Sequence, residues 1–114
     1  VLPYVVLELR YYLYPDGRSP FEKWFAGLDP TARAKVTTAL VRLEQGNLSN
    51  VKGVGKGVLE YRINFGPGYR VYFGRDGEVL VILLTGGTKK RQQRDIAAAI
   101  EMWADYKSRK RPPR

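Results

Sequence analysis

Two arginines, Arg62 and Arg70, stand in neighbouring stretches where apolar and polar residues alternate. Leu59, Tyr61, Ile63 and Phe65 share one parity, against Val58, Glu60, Arg62 and Asn64. Tyr69, Val71 and Phe73 likewise oppose Arg70 and Tyr72. A two-residue period puts alternate side chains on opposite faces of a strand. Paired antiparallel across the Gly66-Pro67-Gly68 turn, the stretches can bring Arg62 and Arg70 side by side, with Tyr72 projecting the same way. Adjacent like charges are mildly destabilising, whereas guanidinium groups suit bidentate contact with phosphate. Lys89, Lys90 and Arg91 follow the next apolar stretch, and Lys52 and Lys56 precede the first. Together they predict a concave cationic surface on which Tyr72 stacks a base. The alternative is a solvated sheet face with Glu60 pairing Arg62.

The remaining composition narrows the chemistry. The chain has 114 residues, with 20 Lys and Arg against 11 Asp and Glu, no histidine and no cysteine. Histidine acid–base catalysis, thiol nucleophiles and disulfide frameworks are therefore excluded. Zinc loses its usual nitrogen and sulfur ligands, so neither a metal nor another cofactor is expected. Lack of cysteine fits a reducing cytoplasm. No apolar run approaches the roughly 18 residues of a membrane span and no signal-peptide pattern opens the chain, so no membrane partner is expected. Fourteen of the 20 basic side chains lie beyond residue 45, where only six of the 11 acidic ones follow them. That skew points to a polyanionic partner, nucleic acid ahead of acidic protein.

The elements that must position these residues read as a single α+β domain over 1–114. Leu7 to Tyr14 alternates as a half-buried strand. Ser19-Pro20 with Glu22 starts a short helix whose apolar face is Phe21, Trp24, Phe25 and Leu28. Asp29-Pro30 restarts a second helix, with Ala32, Val36, Ala39, Leu40 and Leu43 inward, which completes a two-helix hairpin. Residues 46–57 hold four glycines and read as a mobile basic loop. The Gly-x-Gly in it is no nucleotide fingerprint, because a strand pattern follows where a helix would be needed. A three-stranded antiparallel meander comes next, ending in Val79–Leu84, which is apolar on both faces, and Gly86-Gly87 closes it. A last helix spans about Lys90 to Lys107 with Ile96, Ala99, Ile100, Trp103 and Tyr106 inward, before a basic tail over about 108–114. Tyr69 by its parity, and Trp24 and Trp103 by their place on apolar helix stripes, belong to the core.

Glu60-Tyr61-Arg62-Ile63-Asn64-Phe65-Gly66-Pro67-Gly68-Tyr69-Arg70-Val71-Tyr72-Phe73, then Leu83-Leu84-Thr85-Gly86-Gly87-Thr88-Lys89 and Gln92-Gln93-Arg94-Asp95-Ile96, resemble the RelE/ParE superfamily of toxins. The best match is its HigB-like "addiction module killer" branch, with phage-derived relatives, over about residues 5–107. The resemblance implies a RelE-like domain acting as a type II toxin–antitoxin toxin: a ribosome-dependent, metal-independent mRNA endonuclease that blocks translation in the cytoplasm. It implies a phosphate-contacting role for Arg70, a strand position near proton transfer for Arg62, and a basic position after the last strand for Lys89. Lys52, Lys56, Lys90, Arg91 and Arg94 are the expected RNA-binding residues.

Some relatives carry a catalytic Tyr or His near the start of the last helix, where this chain has Gln92-Gln93-Arg94-Asp95. Asp95, Glu60 and Tyr72 are then the local candidates for proton transfer. The implied partners are a cognate antitoxin of helix-turn-helix type, mRNA on the ribosome, and operator DNA only through the toxin–antitoxin complex. The alternatives within the same resemblance are a ParE-like inhibitor of DNA gyrase and a non-catalytic RNA-binding remnant.

Overall fold

The computed structural model of the chain describes residues 6–110. In order these form β1 (Glu8–Tyr11), α1 (Pro20–Ala26), α2 (Pro30–Glu44), β2 (Val51–Gly55), β3 (Val58–Ile63), β4 (Tyr69–Asp76) and β5 (Leu80–Thr88). A 3-10 turn over Lys89–Arg91 then leads into α3 (Gln92–Lys110). All five strands make one sheet in the order β1-β5-β4-β3-β2. β2 to β5 are an antiparallel meander, and β1 lies parallel to β5 at one edge.

The first two helices begin where their capping residues stand. Ser19 Oγ accepts the Glu22 backbone N–H at 3.0 Å, and the Asp29 carboxylate accepts that of Ala32 at 2.9 Å. Phe21 of α1 and Ala32, Val36, Ala39 and Leu43 of α2 are buried against Tyr61, Tyr69, Val71, Phe73 and Leu83 of the sheet. Each large apolar side chain buried there contributes about 1.5–3 kcal/mol. The other face carries Val58, Tyr72, Ile82 and Leu84, and α3 covers it with Ala99, Met102 and Trp103. Beyond this core, Tyr12 donates to Asp105 at 2.7 Å and Tyr106 to Asp76 at 2.6 Å, which ties the later turns of α3 to the sheet.

The α+β class read from the pattern is the one observed, with several boundaries displaced. Residues 51–55 form β2 rather than a loop, so the meander has four strands. Glycine dilutes their alternation, yet their backbone pairs with β3, Lys52 opposite Glu60. Left-handed backbone at Gly55, Lys56 and Gly57 makes the tight return into β3. The N-terminal strand is shorter than its alternation: Tyr12 turns to the α3 side, while Tyr11 and Leu13 are exposed. α3 continues to Lys110 because its last turn is held at the sheet by an ion pair between Lys110 and Asp76. The remainder of the expected tail, residues 111–114, lies outside the described residues.

Gly86 and Gly87 do not close the last strand. β5 runs through them to Thr88, and a bulge reorients them. Tyr72 pairs with Thr85 and Phe73 with Leu83, leaving Leu84 as the extra residue. The bulge turns Gly86 toward α1, where a Cβ would overlap the Trp24 ring, and Gly87 toward α3, where it would overlap the Asp95 carboxyl. Trp24 is only half-buried, because its other side lines an open groove with Pro20 and Leu28. Gly74 serves Trp103 similarly, a Cβ there coming within 2.5 Å of the indole. Missing side chains thus let both helical layers seat their indoles on the sheet. Gly86→Ala and Gly74→Ala should each cost about 1–3 kcal/mol by overpacking. Gly53→Ala, with nothing within 4 Å of its Cβ, should stay within about 0.5 kcal/mol. Urea unfolding midpoints of the three variants check this ordering.

Candidate functional site

The register of β3 and β4 puts Arg62 directly opposite Arg70, and Glu60 opposite Tyr72, on the face that α3 covers. The arginine pair expected from alternation is therefore present, but the surface around it is not simply open. Arg70 is 5% exposed, Glu60 and Tyr72 are 0% exposed, and Glu60 is the anchor of the group. Arg62 Nε donates to Glu60 Oε1 at 2.8 Å and Gln92 Nε2 donates to Glu60 Oε2 at 2.8 Å. Arg70 Nε stands 4.0 Å from Glu60 Oε2, and Arg70 Nη1 donates to the Tyr69 carbonyl at 3.3 Å. Both readings of the face are thereby partly realised: Glu60 pairs with Arg62, and a second guanidinium is held behind it.

Each cation is delivered by its own element. Arg62 sits near the end of β3 with 40% of its side chain exposed, facing outward where the helix ends its cover. Gly68, with φ +80°, lies against both Arg70 and Lys89; a Cβ there would come within 3.6 Å of the Arg70 guanidinium and 3.4 Å of the Lys89 side chain. The Lys89 backbone N–H donates to the Gly68 carbonyl at 2.8 Å, fixing the 3-10 turn beside the β3–β4 turn. Lys89, Lys90, Arg91 and Arg94 are exposed there, lining a shallow cavity of about 370 Å³ with Gln92 and Gln93. Lys52 is beside Glu60 across the β2–β3 pairing. Lys56 is in the turn at the far end of β3, close to the Trp103 end of α3, so it does not join the others.

Tyr72 departs most from expectation. Parity placed it on the polar face, but that face is packed under α3, and the ring belongs to the core with Ile82, Leu84 and Trp103. It cannot stack on a base. Its hydroxyl lies near Glu60 and Asp95 yet finds no partner with hydrogen-bond geometry. Burial first, and then the negative charge of Glu60, push its pKa well above the ordinary tyrosine value. Tyr69 and Trp103 are core residues as expected, with the Tyr69 ring edge-on to Trp24.

The two carboxyls titrate in opposite directions. Burial pushes Glu60 up, but the hydrogen bonds from Arg62 and Gln92 outweigh it and hold the group below the ordinary carboxylate range. Burial pushes Asp95 up against the weaker pull of Arg94 and Arg91. Its Oδ2 is buried over Gly87, the cross-strand neighbour of Arg70, without a hydrogen-bond partner. The donors around Glu60 hold it down, whereas burial pushes Asp95 up. Gln92, which sequence reasoning passed over as part of a missing Tyr or His, is the residue that locks Glu60 from α3. Its signal was its position: the first residue of a helix that must cross the arginine strands.

The depressed Glu60 contributes stability that is in place above the ordinary glutamate pKa and is lost as pH falls through its lowered value. The raised Asp95 acts oppositely: its contribution is present below the ordinary aspartate pKa and lost as pH rises through the raised value. Glu60→Gln should therefore cost about 3 kcal/mol at pH 7, where it leaves Arg70 buried without its anion. Asp95→Asn should raise stability at pH 7 and change it little at pH 3. Urea unfolding at the two pH values separates these opposite signs.

The chain matches the family model described as "Phage derived protein Gp49-like (DUF891)" over residues 23–104. An uncharacterized protein of Haemophilus influenzae is 44% identical over 80 residues, which make up 69% of this chain and 81% of that protein. The family match runs from within α1 through α2, the meander and most of α3, and so contains every residue of the cluster. This chain belongs to the Gp49-like phage-derived family, a toxin-like family of toxin–antitoxin systems of the RelE/ParE type.

Proposed function

We propose that the chain is a toxin that cleaves mRNA on the ribosome without a metal, in the manner of the HigB-like branch of its superfamily. The observation that carries this reading is the cross-strand arginine pair, Arg62 beside Arg70, backed by a buried Glu60 and opening toward Lys89. In cleavage a ribose 2′-oxygen, losing its proton, bonds to the adjacent phosphorus as the P–O5′ bond breaks. The departing 5′-oxygen takes up a proton, and the step needs alignment and neutralisation of charge on the equatorial oxygens. Cations fixed in a partly dry site meet the second need. Arg70 and Lys89 take the phosphate oxygens, and Arg62 approaches from the neighbouring strand. Lys90, Arg91, Arg94 and Lys52 extend the contact along the RNA backbone.

Arginine keeps its proton at neutral pH, so neither guanidinium serves as base. Asp95 is our assignment for the proton carrier, since its buried Oδ2 lies over Gly87, the cross-strand neighbour of Arg70, without a hydrogen-bond partner. Glu60, held ionised, orients the arginines instead. Tyr72 acts only from beneath, through the electrostatics of the cluster. The reading places the protein in the cytoplasm as a single toxin domain, restrained by an antitoxin of helix-turn-helix type whose complex meets operator DNA. No helix among the described residues is long and apolar enough to cross a membrane.

A second reading has its own observation: the one phenol of the cluster, Tyr72, is sealed in the core. A ParE-like gyrase inhibitor needs no proton transfer. Induction of the chain without antitoxin distinguishes the readings. Growth arrest with intact DNA is expected, relieved by Arg70→Ala or Lys89→Ala, each lowering the cleavage rate on the order of 100-fold. Broken DNA and an SOS response with intact mRNA would favour gyrase. No arrest and no cleavage would leave a non-catalytic RNA binder.

A further inference from the structure

Two donors compete for one oxygen of Glu60. Gln92 Nε2 donates to Oε2 at 2.8 Å, whereas Arg70 Nε stands 4.0 Å from the same atom and has no hydrogen-bond partner among the described residues. Arg70 is 5% exposed, so this N–H is shielded from water as well as unpartnered, a costly state for part of a charged group. The guanidinium makes one other bond, a long one of 3.3 Å from Nη1 to the Tyr69 carbonyl. A shift of about 1 Å would bring Nε within hydrogen-bond range of Oε2. The second oxygen, Oε1, is already held by Arg62 Nε at 2.8 Å.

The two arrangements of Arg70 differ in what they leave available. As it stands, Nη1 and Nη2 lie 3.6 and 4.0 Å from the position a Cβ would take on Gly68, the residue that Lys89 also touches. With Nε bonded to Oε2, the guanidinium would be drawn back toward Glu60 and its charge committed to a close ion pair. Gln92 stands between these outcomes. Among the described residues it makes the one side-chain hydrogen bond from the first turns of α3 to the sheet. The helix's other such bonds lie in its later turns, at Asp105, Tyr106, Arg109 and Lys110. A neutral amide suits the place, since a cation there would neutralise Glu60 and an anion would repel it.

We infer that Gln92 is a positioning residue: it holds the Glu60 carboxylate off Arg70 and so keeps the Arg70 guanidinium uncommitted for phosphate. The inference rests on the RNA reading above and deepens it. Glu60 is both the counter-charge of Arg70 and a competitor of the phosphate, and the amide on α3 sets the balance. The buried, unpartnered Nε is then a feature kept at the expense of stability.

The test is cleavage of ribosome-bound mRNA by the full chain, with urea unfolding and the NMR resonance of the Arg70 Nε–H measured on the same samples. The set is wild type, Gln92→Ala, Gln92→Glu and the control Thr37→Ala on the exposed side of α2. Gln92→Ala should lower kcat on the order of 10-fold by misplacing the guanidinium and leave KM unchanged. Its unfolding midpoint should hold or rise, and the Arg70 resonance should move downfield, because Nε gains Oε2. Thr37→Ala should match wild type. The carboxyl introduced by Gln92→Glu is surrounded by Lys52 of β2, Glu60 and Arg62 of β3, Arg70 and Tyr72 of β4, and Arg91 and Asp95 of α3. Protonated, it donates to Glu60 as the amide does; ionised, it repels Glu60 and draws Arg70 in. The rate of that variant relative to wild type should therefore approach one at low pH and fall as pH rises. Wild-type kcat in Gln92→Ala overturns the inference and leaves the RNA reading standing. A change confined to KM overturns it too, making Gln92 an RNA contact. So does a lowered midpoint with an unmoved Arg70 resonance, which makes the amide merely structural. If the wild type cleaves no RNA, the RNA reading falls and the inference with it.

Discussion

The buried carboxylate of Glu60 is the interaction on which the rest of the candidate site depends. An ionised carboxylate is costly to bury unless donors surround it. Here Arg62 from its own strand and Gln92 from the first turn of α3 donate to it, while Arg70, across the β3–β4 ladder, stands 4.0 Å away as a second counter-charge. Removing Glu60 leaves Arg70 buried without its counter-charge. The sheet register, the placement of α3 and the orientation of both guanidinium groups are thus bound into one electrostatic unit. Two cations that would repel one another on an open face are tolerated because a single anion lies beneath them.

That unit works only because the sheet accommodates close approach from both sides. The bulge opposite Tyr72 and Phe73 turns Gly87 toward α3, and the missing side chain there admits the Asp95 carboxyl beside Arg70's strand. The same shift turns Gly86 toward Trp24, so of two adjacent glycines one seats the helical hairpin and the other makes room for Asp95. Core packing and site chemistry share a local feature of β5. Burial there pushes the Asp95 pKa above the ordinary aspartate value.

Much of this was legible in the residue order. Alternation at Glu60, Arg62, Arg70 and Tyr72 gave the correct shared face, and the Ser19 and Asp29 caps gave the helix starts. What alternation could not give was the cover over that face. Tyr72 has the parity of an exposed residue and the burial of a core one because α3 folds back across its strand, a tertiary contact with no local trace. β2 escaped because its glycines weaken the period while leaving the backbone free to pair. Gly86-Gly87 read as a stop, for a pair of glycines looks the same whether it breaks a strand or makes space in one. Gln92 gains its meaning solely from the buried carboxylate it reaches.

The basic charge is therefore distributed in two ways. Arg62 and Arg70 are organised against an anion inside the fold, whereas Lys89, Lys90, Arg91 and Arg94 stand outside it and meet solvent. The first group is suited to stabilising charge at one point and the second to holding a polyanion nearby. Mapping the 5′ ends of cellular RNA after induction tests this account most directly. Cuts phased with codons within translated messages are the expected result, absent when Arg70 is replaced by alanine. Transcripts left intact while growth still stops would contradict it.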